Sequence, residues 1–479
     1  MAPVPGPVVV VGAGPVGLTA ALLLARRGLP VVVLERRPAP YGRPRAVHLD
    51  DEALRALADA GVADAFLGVS RPMPGLRLVD GDRRVLAVFG RGRGPHGWPQ
   101  GSMFHQPDLE GLLLAAVRSA PGVELRTGTE VVGLPAPGVV AVRDRGSGRV
   151  STVAAAAVVG CDGANSTVRR LVGARLRELG PADRWLVADL RAPRGLPVWP
   201  GTTQVCDRRR PATAMPVTGD RYRWEFRLAP GEAAGGLDLP ALLSADGAGG
   251  AAVERVAEYT YRAAVVDRWR AGRVLLAGDA AHLSPPFVGQ GLGLGLRDVH
   301  QLAWKLAAVL DGSAPERLLD THGAERGPHA RALVRLAVLV GRLMTGGGAG
   351  GAVLRRGVLA GVGRVPALAA YAGESRTPAL RPGPLVRRSG RAGRRLAGTL
   401  LPRATVLTGG GSHPVDDVLG PGWARLRLLG AGRLAVHPAG GHERVVADPA
   451  GVLTGRLRSA GAAEVVVRPD RIVAAAHGS

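Results

Sequence analysis

Several residue types are scarce in this chain, and each scarcity excludes a class of protein. Only two of the 479 residues are cysteines, Cys161 and Cys206, so neither a disulfide framework nor a metal site is indicated. Lysine occurs once, at Lys305, and aromatic residues make up 4% of the chain. The net charge of +23 therefore comes from dispersed arginines without interleaved aromatic residues, and this pattern argues against binding to nucleic acid.

Long hydrophobic runs are also absent. No uncharged apolar segment reaches the roughly 18 residues that a membrane span needs. The apolar segment Ala332–Met344 is interrupted by Arg335 and Arg342, which predicts an amphipathic helix. Because no basic segment precedes the apolar run Val8–Val11, we predict no signal peptide and a cytoplasmic protein. The length fits two or three domains.

A glycine motif follows the first apolar run. Val8–Val11 predicts a buried strand, and Gly12–Gly17 has the form Gly-x-Gly-x-x-Gly before a predicted helix over 15–27. A second predicted strand, Val31–Leu34, ends at Glu35, at the distance from which an acid reaches a ribose. This pattern predicts a dinucleotide site. The expected contacts are Gly12, Gly14, Pro15, Val16, Gly17, Glu35 and Arg36.

A second informative segment lies at 273–306. The apolar run Val274–Ala277 ends at Gly278-Asp279, which predicts a strand that presents a carboxylate to a polar ligand. Prolines and a glycine series follow, and glycines without a Cβ allow a loop to lie close to a flat ligand. The expected contacts are Gly278, Asp279, Pro286, Gly289, Gln290, Gly291 and Leu292.

A third segment decides which dinucleotide is expected. Val158–Arg169 predicts a strand that ends at Asp162-Gly163 and then a helix start. Together the three segments resemble the class A FAD-dependent aromatic monooxygenases. Further segments resemble the 3-(3-hydroxyphenyl)propionate hydroxylases and the phenolic polyketide hydroxylases within that group. Those segments are Pro44–Val62, Phe104–Leu113, Arg223–Glu232 and Pro285–Leu292.

The resemblance implies an α/β fold with a Rossmann-like FAD-binding domain of the para-hydroxybenzoate hydroxylase type. It also implies an inserted β-sheet substrate domain and a small thioredoxin-like C-terminal domain, here without Cys-x-x-Cys. The expected boundaries are 1–175 and 269–400 for the FAD-binding domain, 176–268 for the substrate domain, and 401–479 for the C-terminal domain. Strands within 76–104 are expected to join the substrate domain, and a glycine hinge is expected at 345–348.

The resemblance also implies the chemistry. FAD is reduced by NAD(P)H and reacts with O2, and the flavin C4a-hydroperoxide then hydroxylates a small phenolic substrate. Pro286 is expected to form part of an apolar wall, and the N–H groups of Gly291 and Leu292 to hold the N1–C2=O edge of the flavin. Together with His48, which is expected to face the substrate, these are the predicted catalytic residues. Arg45 is expected near the pyrophosphate or nicotinamide, Gln106 beside the flavin chain, and Asp162 in the cofactor region.

Alternatives remain open at this point. A helix cap or a solvated charge is the alternative role for Glu35, Arg45, Gln106, Asp162 and Asp279. A halogenase or a reductase could share the scaffold, although no Trp-x-Trp occurs here. A flavin-binding protein without hydroxylase activity and a nicotinamide-only dehydrogenase are further rivals. The sequence does not identify the phenol, choose NADH over NADPH, or decide whether the protein is a homodimer.

Overall fold

The computed structural model describes residues 6–207, 209–345 and 377–478. The glycine hinge expected at 345–348 therefore lies outside the described residues, apart from Thr345. No helix in these three ranges combines the length and hydropathy needed to cross a bilayer.

The first part of the chain alternates strands and helices. Its elements, in chain order, are β1 (Val8–Val11), α1 (Pro15–Ala25), β2 (Val31–Leu34), β3 (His48–Asp50), α2 (Asp51–Asp59), α3 (Ala63–Val69), β4 (Ser70–Pro72), β5 (Gly75–Val79), β6 (Val85–Gly90), β7 (Gly101–Phe104), α4 (Gln106–Ser119), β8 (Val123–Arg126), β9 (Thr129–Ala136), β10 (Val139–Asp144), β11 (Val150–Ala154), β12 (Ala157–Gly160), α5 (Thr167–Leu171) and β13 (Leu176–Glu178).

The middle part is rich in strands and then returns to long helices. Its elements are β14 (Asp183–Arg191), β15 (Thr202–Val205), β16 (Ala212–Pro216), β17 (Arg221–Arg227), α6 (Leu239–Ala245), β18 (Ala252–Tyr261), β19 (Ala264–Val266), β20 (Arg270–Ala271), β21 (Val274–Leu276), β22 (His282–Leu283), α7 (Gly291–Leu310) and α8 (Asp320–Thr345).

The last part forms a separate antiparallel sheet with short helices. Its elements are α9 (Gly390–Leu396), β23 (Thr405–Thr408), β24 (Gly411–Pro414), α10 (Val415–Leu419), β25 (Ala424–Gly430), β26 (Arg433–Pro438), β27 (Arg444–Ala447), α11 (Val452–Ala460), β28 (Glu464–Val467) and β29 (Val473–His477).

A six-stranded sheet forms the centre of the first domain. Its order is β20-β21-β12-β1-β2-β8, and all neighbours except β20 and β21 are parallel. The four valines of β1 are buried because both faces of the sheet are covered. Val8 and Val10 pack in a core with α1 and α7, and Val9 and Val11 pack in a second core with β9, β10 and α8. Helices α1 and α7 pack together on one face.

A second sheet lies in the expected substrate domain and is named the substrate sheet. Its order is β18-β14-β17-β16-β15-β5-β6, and residues 75–90 contribute two of its strands, β5 and β6. The expectation that strands up to residue 104 join the substrate domain was wrong for β7, which pairs with β3 and β4. This pairing places the buried β7 in the first domain, where α4 begins two residues later.

The C-terminal domain is a seven-stranded sheet with the order β24-β23-β27-β26-β25-β28-β29. Each pairing in it is antiparallel. Its core packs the helices α9, α10 and α11 against the strands. The mixed α/β architecture agrees with the predicted fold class, and the thioredoxin-like description of this last domain stays a prediction.

Candidate active site

The carboxyl ends of the central parallel strands bring the three sequence motifs together. In β1, β2, β12 and β21, the ends are in register with one another. Gly12, Glu35, Asp162 and Gly278 follow these strands directly or within two residues. Ligands of open parallel sheets bind at this edge. Segments that are up to about 270 positions apart in the chain therefore meet at one edge, as the sequence predicts.

The glycine loop is shaped for a phosphate. Gly12 has φ +102°, which favours glycine, and a Cβ on Gly17 would collide with the carbonyl oxygen of Gly12. In contrast, a Cβ on Gly14 would meet no atom within 4 Å, so this face of the loop is open. Helix α1 begins at Pro15 with no side-chain cap, and its first N–H groups are therefore available to an anion.

Glu35 lies beside that loop. One carboxylate oxygen accepts a hydrogen bond from the N–H of Ala13 at 2.8 Å, and the other accepts one from the N–H of Arg37 at 2.9 Å. These bonds fix the carboxylate against the glycine loop. A carboxylate has about four acceptor positions, so Glu35 can still accept from a ribose hydroxyl. Arg36 is exposed next to it.

The Gly278-Asp279 turn packs directly against the start of α1. A Cβ on Gly278 would lie 3.2 Å from Val16, and Gly278 has φ +63°. On α7, a Cβ on Gly295 would lie 2.7 Å from Val16 and 3.0 Å from the Cα of Gly278. Glycine is therefore required at both positions for the glycine loop, the turn and α7 to meet.

Asp279 presents a carboxylate without a protein donor. Its side chain is solvent-accessible, and no described residue donates a hydrogen bond to it. Desolvation by the surrounding protein nevertheless raises its pKa, while His282 and Arg45 act in the opposite direction. An accessible yet partly desolvated carboxylate is what the wall of a cleft provides, and it suits a polyhydroxyl ligand such as the ribityl chain.

A buried ion cluster supports this turn, and sequence reasoning did not find it. Asp298 on α7 accepts hydrogen bonds from the N–H of Gly278 at 3.0 Å and from Arg326 at 2.7 Å, and lies 2.6 Å from Nε2 of His282. These charges hold the pKa of Asp298 well below its usual range, against the effect of burial. The sequence signal that could have indicated this cluster is the charged pair Arg297-Asp298 directly after the glycine-leucine series that begins α7.

The loop before α7 has the features expected of a flavin contact. Gly289 is in the left-handed region with φ +63°, and α7 begins at Gly291 without a side-chain cap. The N–H groups of Gly291 and Leu292 are in its first turn, where helices lack internal acceptors. Gln290 is buried, and its Oε1 accepts a hydrogen bond from Arg297 at 3.0 Å.

The proline turn before Gly289 is anchored to the substrate sheet. The Phe287 ring makes an edge-on contact with Trp185 at 5.8 Å between ring centres. A Cβ on Gly341 of α8 would collide with the same ring. Phe287 therefore packs the turn 285–288 against the substrate sheet and α8. Pro286, the preceding residue, is half-buried. The apolar wall over the flavin stays a prediction for Pro286.

The arginine loop at 43–46 is ordered from two sides. Oε1 of Gln106 accepts hydrogen bonds from the N–H groups of Arg45 and Ala46 at 3.0 and 2.7 Å. From the substrate sheet, Arg223 donates to the carbonyl oxygens of Arg45 and Pro44 at 2.6 and 3.1 Å. Gln106 thus fixes the loop backbone, a role that is compatible with a position beside the flavin chain.

Asp162 occupies the cofactor edge, but its carboxylate serves a helix start. Its oxygens accept bonds from the hydroxyl of Ser166 and from the N–H groups of Thr167 and Val168, at 2.6 and 3.0 Å for the latter two. A Cβ on Gly12 would lie 3.0 Å from the Cα of Asp162. The residue therefore caps α5 and also borders the glycine loop.

The substrate sheet presents one polar face to the site. Gln204, Thr213 and Glu225 are cross-strand neighbours, and Thr213 donates to Gln204 at 2.8 Å. Burial raises the pKa of Glu225, which accepts a hydrogen bond from Tyr261 at 3.4 Å. Residues of the opposite face form the core under α6, and these include Tyr222 and Trp224. Tyr222 and Trp224 therefore serve the packing of this sheet and do not face the site.

His48 lies between the arginine loop and the proline turn. Its Nδ1 is 3.3 Å from the carbonyl oxygen of Gly289, and Arg91 donates to its Nε2 at 2.8 Å. Burial, followed by the charge of Arg91, lowers the pKa of His48 to about 4. Because protein atoms engage both ring nitrogens, the ring has no free nitrogen to offer to a substrate.

The residues at this edge fit FAD. The glycine cradle and the start of α1 suit a pyrophosphate, Glu35 suits a ribose, and Asp279 offers an unpartnered carboxylate to a polyhydroxyl chain. The uncapped start of α7 offers N–H groups to the flavin ring. Together these features define a flavoprotein with the cofactor site of a two-domain oxidoreductase.

Comparison with known proteins identifies the family. The family described as "FAD binding domain" matches residues 6–233 and 238–337. The chain belongs to this family. It is 34% identical to the "Probable NADH-specific resorcinol 4-hydroxylase" of Rhodococcus jostii (strain RHA1), covering 97% of this chain and 91% of that protein.

Two further relatives agree. A "3-(3-hydroxy-phenyl)propionate/3-hydroxycinnamic acid hydroxylase" of Mycobacterium sp. (strain KMS) is 34% identical over 98% of this chain and 88% of its own length. The crystal structure of a ternary complex of aklavinone-11 hydroxylase with FAD and aklavinone has a TM-score of 0.78 and 25% identity, covering 100% of this chain and 96% of that one. The predicted family, FAD cofactor and enzyme class are confirmed: the chain is an FAD-dependent aromatic hydroxylase.

Proposed function

We propose that this chain hydroxylates a small, uncharged phenol with FAD, NADH and O2. The observation that supports FAD binding is that Glu35 and Asp279 lie at one sheet edge together with the glycine loop, whose Gly14 faces open space. Dependence on NADH also fits the cytoplasmic location expected from the sequence.

The residue roles follow from the geometry of that edge. Glu35 would accept from the ribose, and the loop Gly12–Gly17 with the start of α1 would hold the pyrophosphate. Asp279 would accept from the ribityl chain. The N–H groups of Gly291 and Leu292 would stabilise negative charge at the N1–C2=O edge. FAD supplies the redox and oxygen-transfer chemistry, while the protein binds and orients the reactants and excludes water.

A cluster on the surface supports a docking place for the nicotinamide nucleotide. The guanidinium groups of Arg37, Arg43 and Arg45 lie 4.2, 6.0 and 4.8 Å from the ring centre of Tyr41. The cluster is next to Glu35 in the chain, and Arg45 and Arg43 are exposed. Arginines attract phosphates, and a partly exposed ring such as that of Tyr41 can stack on a base. NADH is proposed over NADPH because a relative is named NADH-specific.

The side chains near His48 favour an uncharged substrate. Met73, Met103 and Met215 form an apolar cluster on the site side of the sheet. Of two nearby arginines, Arg223 is held by Asp189 and two carbonyl oxygens, whereas Arg91 donates to His48 through Nη1 and its buried Nε has no partner among the described residues. The proposal of an uncharged substrate therefore rests on the methionine cluster, in which a substrate carboxylate would be costly to desolvate.

The test is NADH oxidation by the purified yellow protein. We expect resorcinol to stimulate oxidation with little H2O2, and with a higher kcat/KM than 3-(3-hydroxyphenyl)propionate. A preference for the propionate would contradict the proposal that the substrate is uncharged, and would leave the proposed hydroxylation of a phenol in place. Yellow protein without phenol-stimulated oxidation across both compounds and larger polyketide phenols would favour a flavin-binding protein without hydroxylase activity.

A further inference from the structure

The strand β3 holds the start of α7 at two points. His48, its first residue, has Nδ1 3.3 Å from the carbonyl oxygen of Gly289. Asp50, on the same side two residues later, pairs with Arg297, and Arg297 donates to Oε1 of Gln290 at 3.0 Å. The loop residues 289 and 290 are thus fixed from one strand, immediately before Gly291 and Leu292.

The hydrogen-bonding partners define which nitrogen of His48 carries the proton. Arg91 can only donate, so Nε2 of His48 must accept at 2.8 Å. In the neutral ring the proton is then on Nδ1, which faces the carbonyl oxygen of Gly289 and donates to it. Arg91 follows β6 of the substrate sheet, so the imidazole connects that sheet to the loop before α7.

Two glycines enclose the ring and prevent it from turning towards a substrate. A Cβ on Gly289 would lie 2.8 Å from Nδ1, and a Cβ on Gly101 would lie 2.6 Å from Nε2. Both positions therefore have to be glycine for the imidazole to fit. This close packing indicates a ring that is held in one orientation and serves the loop beside it.

We propose that His48 is a positioning residue. Its Nδ1–H fixes the Gly289 carbonyl and thereby aims the N–H groups of Gly291 and Leu292 at the flavin. This inference rests on the proposed function only in placing those N–H groups at the N1–C2=O edge. It replaces the expectation that His48 itself contacts the substrate, and it assigns Arg91 the task of selecting the tautomer.

The reduction potential of bound FAD tests this role without NADH or phenol. His48→Leu removes the donor, whereas His48→Asn keeps an N–H near the position of Nδ1. Because the ring is neutral, neither change removes a charge, so a shift in potential reports loop geometry. We expect His48→Leu to lower the potential by about 30 mV, the equivalent of a tenfold change for a two-electron couple. His48→Asn should remain close to wild type.

Further variants keep the test decisive. His48→Gln offers an acceptor to Arg91 but no donor at Nδ1, so it should behave as His48→Leu does and can replace that variant if it fails to fold. His437→Leu, at an exposed position in the C-terminal domain, is the matched control and should leave the potential unchanged. Wild-type potentials in both His48→Leu and His48→Gln, or an equal loss in His48→Asn, would overturn the proposal. Absence of phenol hydroxylation by the wild type would refute the proposed function alone.

Discussion

Val16 of α1 lies against Gly278 of the turn that presents Asp279, so that a Cβ on this glycine, which has φ +63°, would lie only 3.2 Å from Val16. The contact joins the two halves of the cofactor site into one packed unit, and Gly295 of α7 closes it from the third side. The spacing between Glu35 and Asp279 is therefore set by close packing of glycines and one valine. This arrangement makes the site sensitive to single methyl groups.

Gly295→Ala should weaken FAD binding by about tenfold or more. The new methyl would lie 2.7 Å from Val16 and 3.0 Å from the backbone of Gly278, and overpacking of this kind costs roughly 1–3 kcal/mol. FAD titration of the apoprotein measures the effect. Gly455→Ala is the control, since its methyl would meet no atom in the exposed face of α11, and it should stabilise by up to about 1 kcal/mol. Equal FAD affinity in both variants would contradict the packing argument.

The stability of the protein should fall between pH 4 and pH 8 through Asp51. Burial, together with the charges of Asp50 and Glu52, raises the pKa of Asp51 from 3.8 to about 8. Between these pH values Asp51 keeps its proton in the folded chain and loses it in the unfolded chain. The free energy of unfolding is therefore higher at low pH and falls as the pH rises towards the folded pKa of Asp51.

Asp51→Asn removes this titration, because an amide stays neutral. Relative to wild type, the variant should therefore gain Tm at pH 8 compared with pH 5. Asp64→Asn, at an exposed position of α3, should follow wild type at both values. Parallel Tm curves for wild type and Asp51→Asn would show that Asp51 does not titrate in the folded protein as described.

Glu325 should be critical for attachment of the C-terminal domain. One of its oxygens accepts from Arg468 of that domain and the other from Lys305 of α7, each at 2.8 Å, and all three side chains are buried. Glu325→Gln would leave the buried Lys305 without its ion-pair partner, while Arg468 keeps its pair with Asp470, and we expect a cost of about 3–5 kcal/mol. Urea unfolding measures the loss. Glu178→Gln breaks an exposed pair with Arg262 and should cost at most about 1 kcal/mol, so similar losses in the two variants would be inconsistent with this account.

Local patterns predicted the parts of the fold that depend on neighbouring residues. The helix Gln106–Ser119 has the predicted bounds, because Pro107 suits the first turn and the apolar spacing continues to Ser119. Asp50 caps the predicted helix α2 by accepting from Ala53 at 2.9 Å. The glycine motif and Gly278-Asp279 predicted a shared cofactor site because each has a definite local geometry.

Long-range pairs could not be predicted in the same way. Asp298 supports a turn twenty residues before it and pairs with Arg326, and neither partner is marked by local spacing. The engagement of His48 by Gly289 and Arg91 likewise depends on three separate segments. The pairing of β7 with β3 and β4 was mispredicted because a short apolar strand does not indicate which sheet it joins.

FAD titration of apoproteins carrying Glu35→Gln, Asp279→Asn and both changes tests the central claim most directly. If the two carboxylates bind one FAD molecule, each single change should weaken binding by roughly 10- to 100-fold, as expected for charge-assisted hydrogen bonds. The two losses should add in the double variant because the side chains contact opposite ends of the cofactor. Wild-type FAD affinity in either single variant would contradict the claim that Glu35 and Asp279 hold the same flavin.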